Sequence, residues 1–231
     1  MKHIFVAGNW KSNKTRSEAD VWLREFKVQS LKFKVELQKT SIVLCVPFTL
    51  LSLLHDQIHQ FQLPIQLGAQ DVSPYPSGAY TGAVNARQLK ELVDWVIIGH
   101  SERRKYFRET DIVLAQKVQQ AKDAGLQIIY CVQDEHVIVP QGVDVISYEP
   151  PWAISAVSNW KTQDPKVAGD VCAIIKKKNP DAVVLYGGSA SAENVISFLS
   201  QPAIEGILSG GASLDAEKFY QLIQNSTKEI S

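Results

Sequence analysis

Eight short apolar runs, each bounded by turn residues, are spread along the whole chain, and they constrain its fold more than any other feature. They are Ile4 to Ala7, Ile42 to Val46, Ile65 to Gly68, Trp95 to Gly99, Gln127 to Val132, Val143 to Tyr148, Val183 to Gly187 and Ile204 to Ser209. Runs of this length, rich in β-branched residues, read as strands. Helical periodicity fills most of the gaps, over Ser17 to Phe33, Ala86 to Val93, Ile112 to Ala124, Pro165 to Lys178, Ala192 to Leu199 and Leu214 to Ile223. Thr110-Asp111 supplies a helix start and Ala124-Gly125 a helix end, while Asp164-Pro165 reads as another helix start. Strands alternating with helices imply a parallel sheet.

Nothing in the composition divides the chain: there is no linker, low-complexity tract or charge block, so residues 1–231 are read as one domain. An open doubly wound sheet is the rival architecture. Eight strands without a dinucleotide-type glycine fingerprint after the first favour closure into a single (β/α)8 barrel. The connection between strands 5 and 6 is short, with 13 residues from Val132 through Asp144. A parallel crossover needs about a dozen residues, so a full outer helix hardly fits and the barrel should be thinly covered there.

Lysine plus arginine and aspartate plus glutamate both total 24, so the chain offers no electrostatic case for nucleic acid or an anionic membrane. A small-molecule partner fits better. The apolar stretch within Met1-Lys2-His3-Ile4-Phe5-Val6-Ala7 is too short for a signal peptide or a membrane span. Cys45, Cys131 and Cys172 are odd in number and show no metal-ligand spacing, which suits reduced thiols in the cytoplasm. Cys45 and Cys131 end apolar runs and read as small core residues.

In a barrel, chemistry gathers at the C-terminal ends of the strands. Those positions here carry Gly8-Asn9-Trp10-Lys11, Gly99-His100-Ser101-Glu102-Arg103-Arg104, Tyr148-Glu149-Pro150, Gly187-Gly188-Ser189 and Gly210-Gly211-Ala212-Ser213. Glu149 closes an apolar run and is followed by two prolines that stiffen the exit, a suitable place for a general base. Lys11 offers a compact cation and Asn9 a fixed hydrogen-bonding group. Backbone N–H groups after His100 can bond one ring nitrogen and hold the imidazole neutral. The two glycine pairs after strands 7 and 8 suit a phosphate cradle, because residues without Cβ admit close approach and can adopt positive φ. Together these groups suit proton abstraction beside the carbonyl of a phosphorylated sugar, with no metal and no cofactor required.

These motifs, with Gly78-Ala79-Tyr80-Thr81-Gly82 in the third loop, closely resemble those of the triosephosphate isomerase family, in order and in barrel position, from the first strand to the last. The resemblance implies a TIM barrel that interconverts dihydroxyacetone phosphate and D-glyceraldehyde 3-phosphate through an enediol or enediolate, in glycolysis and gluconeogenesis. It implies Glu149 as base, His100 as proton shuttle at the oxygens, Lys11 and Asn9 as anion-stabilising and positioning groups, and Glu102 as support beside Lys11. It places phosphate on backbone groups of Ser155, Ser189, Gly210 and Gly211. Loop 71–82 resembles the segment that family members insert into a neighbouring subunit, so a homodimer is expected. Ala83, however, stands where the family usually has a glutamate that pairs with the arginine matching Arg103, so that intersubunit contact should be missing. The lid reads Ala153-Ile154-Ser155-Ala156-Val157, where the family usually has Ala-Ile-Gly-Thr-Gly. A β-branched Val157 disfavours positive φ, which predicts slower turnover or more phosphate elimination than a glycine-tip variant. A catalytically weak sugar-phosphate-binding or scaffold protein on the same barrel is the alternative, as is a different phosphate-binding barrel enzyme.

Overall fold

A computed structural model describes residues 3–32, 40–153 and 162–228. Eight parallel strands close into a barrel in sequence order. They are β1 (Ile4–Asn9), β2 (Thr40–Val46), β3 (Gln66–Ala69), β4 (Trp95–Ile98), β5 (Gln127–Val132), β6 (Val145–Tyr148), β7 (Val183–Tyr186) and β8 (Gly206–Ser209). Around them run α1 (Arg16–Lys32), α2 (Leu51–Phe61), α3 (Ala86–Lys90), α4 (Ser101–Tyr106), α5 (Asp111–Asp123), α6 (Pro165–Lys178), α7 (Val195–Leu199) and α8 (Ala216–Lys228). The predicted (β/α)8 architecture is thus present. Helix α2 has no counterpart in the sequence reading, although Leu51, Leu54 and Ile58 form its buried stripe at helical spacing.

Side chains along a strand alternate between the two faces, and this sorts the apolar residues into two clusters. Phe5, Ala7, Val43, Cys45, Trp95, Ile97, Ile129, Cys131, Val145, Leu185 and Leu208 fill the barrel interior. Ile4, Val6, Leu44, Val96, Ile146 and Val184 face outward to the helices, meeting Trp22 and Phe26 of α1 and Phe219 of α8 among others. The interior is a packed core closed by the Phe5–Trp95 edge contact at 5.0 Å. Asn9 continues the inward face of Phe5 and Ala7, and Glu149 continues that of Val145 and Ser147. The strand pattern therefore delivers both residues to one mouth of the barrel.

Helices start where their sequence provides caps. The Asn85 side chain accepts from Gln88 N–H at the start of α3, Thr110 from Val113 N–H before α5, and Asp164 from Lys166 and Val167 N–H before α6. Between β5 and β6 no helix forms, as the short connection predicts. The strand pair is covered instead by Val137, Val139 and Val143, packed against the outer cluster. Lys122 of α5 donates to Gln141 O and Lys178 of α6 to Glu135 O, strapping the connection to its two neighbouring helices.

Candidate active site

The turn from β4 into α4 organises the site. Gly99 has φ 78°, a conformation that favours glycine, and its carbonyl accepts from Arg104 Nε at 2.9 Å. That turn sets His100 as the N-cap of α4. The imidazole Nδ1 accepts from Glu102 N–H at 3.2 Å, which leaves the ring proton on Nε2 and aims an N–H donor into the barrel mouth. Three consecutive residues then address three groups. His100 presents its own Nε2, Ser101 N–H donates to Glu149 Oε2 at 3.1 Å, and Glu102 Oε1 accepts from Lys11 Nζ at 2.7 Å.

Glu149 is 1% exposed, and its Oε1 has no hydrogen bond among the described residues while lying 3.6 Å from His100 Nε2. Its backbone N–H donates to Val132 O at 2.8 Å, extending the β5–β6 pairing by one residue and fixing the carboxylate against the sheet. Cys131 of β5 abuts this carboxylate. Burial, reinforced by the Glu149 charge, pushes its thiol well above the ordinary range. Cys131 is a small buried residue of the barrel interior, as its place at the end of an apolar run predicts.

Lys11 has φ 54° although it is not glycine. Its N–H donates to Asn9 Oδ1 at 2.9 Å, and its carbonyl accepts from Gln70 Nε2 at 3.0 Å. Asn9 is itself 4% exposed at the end of β1. Asn9, Lys11, His100 and Glu149 line one cleft with Gly187, Gly188, Leu208 and Gly210.

Gly187 and Gly188 are required for space, and the positive φ expected of the two glycine pairs is absent. None of Gly187, Gly188, Gly210 and Gly211 has positive φ. A Cβ on Gly187 would meet Glu149 Cγ at 2.8 Å, and one on Gly210 would meet Lys11 Cε at 3.3 Å. Ser189 follows Gly188, but its N–H and its hydroxyl both donate to Ala153 O, at 3.0 and 2.7 Å. Gly211 opens the 3-10 turn Gly211–Leu214 next to Gly210. Ser155 and Val157 lie outside the described residues. Among the described residues no group of His, Cys, Asp and Glu is arranged to hold a metal ion.

A second cluster adjoins the first. Arg103 pairs with Asp71 at 2.8 Å and Glu109 at 2.7 Å, and Lys117 binds the same two carboxylates. Arg103 thus has its carboxylate partners within the chain. Beside it a groove of about 470 Å³ runs past Lys11, Ser12, Phe48, Gln70, Glu102 and Phe107.

Chemically, the cleft pairs a buried carboxylate with a neutral N–H donor and places an ammonium group beside them, a set able to move a proton next to a carbonyl whose oxygen becomes anionic. The family model described as triosephosphate isomerase matches residues 4–142 and 139–226. The triosephosphate isomerase of Trichormus variabilis is 39% identical over 246 residues, covering 96% of this chain and 99% of that protein. The triosephosphate isomerase of Synechocystis sp. is also 39% identical, with 96% and 98% covered. A solved structure of triosephosphate isomerase from Bartonella henselae superposes with a TM-score of 0.80 at 32% identity, over 95% of this chain and 97% of that one.

Proposed function

This chain belongs to the triosephosphate isomerase family, and on that footing we infer that it is an aldose-ketose isomerase interconverting dihydroxyacetone phosphate and D-glyceraldehyde 3-phosphate. In the mechanism we propose, Glu149 takes a proton from C1 of dihydroxyacetone phosphate, and the C1–H electron pair forms the C1–C2 double bond of an enediolate. His100 Nε2–H polarises the C2 carbonyl and protonates the developing oxyanion. Return of a proton from Glu149 to C2, with the C1 hydroxyl proton passing to His100 Nε2, gives the aldehyde and restores both residues. Lys11 stabilises the negative charge, Asn9 fixes the Lys11 backbone and the substrate oxygen, and Glu102 holds the Lys11 ammonium. The observation that carries this reading is the approach of Glu149 Oε1 to 3.6 Å from His100 Nε2 in the cleft that also holds Lys11.

Phosphate is assigned to backbone N–H groups of Ser189, Gly210, Gly211 and Ser155. Because Ser189 N–H is engaged by Ala153 O, phosphate binding there requires that carbonyl to let go, which couples ligand arrival to the Pro151–Ala153 turn at the root of the lid. The chain acts as one domain and as a homodimer, with loop 71–82 of one copy seated in the Phe48–Phe107 groove of the other. The stacked and exposed pair Tyr75 and Tyr80 supports that role for the loop. A cytoplasmic location accords with three buried, unpaired thiols. Among the described residues no helix is long and apolar enough to cross a membrane.

The test is a coupled assay with both triose phosphates on purified protein, with sedimentation for the oligomer. Turnover in both directions is expected. Binding without turnover by folded protein would point to the catalytically weak binding protein instead.

A further inference from the structure

We propose that Gln70 is a positioning residue for the reaction, acting through the backbone of Lys11. The inference rests on the isomerase reading, in which the Lys11 ammonium stabilises negative charge on the substrate.

Lys11 holds φ 54°, a left-handed conformation that Cβ disfavours. Such a backbone persists only where its surroundings over-determine it. Three contacts do so here. The Lys11 N–H is bound by Asn9 Oδ1, its Nζ by Glu102, and its carbonyl by Gln70 Nε2. The first two partners belong to the strand-end motifs that carry the chemistry, whereas the third comes from outside them.

Gln70 directly follows β3 and reaches across the end of β2. Its amide donates to Lys11 O at 3.0 Å and to Cys45 O at 3.2 Å. Cys45 O also accepts from Trp10 N–H at 3.0 Å, so the ends of three neighbouring strands are tied together at this point. Both acceptors of Gln70 are carbonyl oxygens, hence only the nitrogen end of the amide can face them. An ionised glutamate of the same shape would set oxygen against oxygen, whereas a protonated one could still donate to a carbonyl.

The residue before Lys11 is fixed independently. Trp10 is fully buried, its Nε1 donates to Ser213 O at 2.9 Å, and its carbonyl accepts from Asn13 Nδ2 at 2.6 Å. The Lys11–Ser12 peptide is therefore where the orientation of Lys11 is still open, and Gln70 binds that peptide's oxygen. Without the donor, Lys11 can relax out of the left-handed region and withdraw its ammonium from Glu102 and the cleft. Glu149 and His100 are held from α4 and the β5–β6 pair, so they should stay in place.

Gln70→Met keeps the length of the side chain and removes the donor, and Lys11→Met serves as the reference. Steady-state kinetics on dihydroxyacetone phosphate and a crystal structure of Gln70→Met are the readouts. The loss of a hydrogen bond to the positioned group should lower kcat/KM about tenfold in Gln70→Met. In the Gln70→Met structure Lys11 should leave positive φ and separate from Glu102, while His100 and Glu149 are unmoved. Wild-type kcat/KM in Gln70→Met overturns the proposal, and so does an impaired Gln70→Met whose Lys11 keeps its φ and its Glu102 contact. Full activity in Lys11→Met would be a different failure, that of the role given to Lys11 itself.

Discussion

Gly187→Ala is the perturbation whose effect on the base can be worked from distances. An added Cβ would stand 2.8 Å from Glu149 Cγ and 3.2 Å from Tyr148 O and would collide with Ser147 Oγ. Carbon atoms in contact prefer about 3.5–4.0 Å, so Glu149 must retreat by roughly 0.7 Å or more. Misplacing a reacting group by about 1 Å can cost on the order of a hundredfold in rate, so kcat should fall by tens to a hundredfold while KM changes much less. Overpacking should also destabilise the fold by about 1–3 kcal/mol, a fall in Tm of roughly 2–12 °C for a chain of this size. The two effects can be separated. Ser147 Oγ is buried without a hydrogen bond, so adding Ser147→Ala removes the worst contact and relieves no satisfied polar group. The double variant should recover most of the lost Tm and little of the lost kcat. Steady-state kinetics and thermal melts on the two single variants and the double variant decide it. If Gly187→Ala keeps wild-type kcat, or if Ser147→Ala restores rate and stability together, the argument that Gly187 makes room for the base is wrong.

Two further outcomes concern stability. Burial raises the Cys45, Cys131 and Cys172 thiols above the ordinary 9.0, so above pH 9 the unfolded chain releases protons that the folded chain keeps, and stability is lost as pH rises. Three such thiols sum to about 4 kcal/mol between pH 8 and 10, or roughly 10 °C in Tm, and an unchanged Tm over that interval would count against it. Arg108 is exposed at φ 55°, where Cβ is a burden, so Arg108→Gly should stabilise by about 0.5–1 kcal/mol after allowing for glycine's unfolded-state entropy; a lower Tm would show that the side chain compensates its backbone.

The barrel was legible because eight apolar runs and their spacing are local properties. The strand ends were less so: Gly8 and Asn9 read as a turn, yet they pair with Leu44 and Cys45 of β2, a long-range ladder that no local signal reveals. Ile65 and Ile204 read as strand but stand just outside β3 and β8. Helix α2 went unread although Leu51, Leu54 and Ile58 lie at helical spacing. The residues expected to carry the chemistry, Asn9, Lys11, His100 and Glu149, do converge. The groups that hold them, Gln70 and the Ser101 N–H, went unread because each acts on a residue far away in the chain.

The most direct measurement is proton exchange at carbon. Dihydroxyacetone phosphate incubated in D2O with the protein and followed by NMR reports whether a base removes hydrogen from C1. Wild-type protein should place deuterium at the reacting carbons of both triose phosphates, while Glu149→Gln, folded and still binding substrate, should lose that exchange by three orders of magnitude or more, as expected when the proton-transfer group itself is removed. Exchange at the wild-type rate in Glu149→Gln would contradict Glu149 as the base.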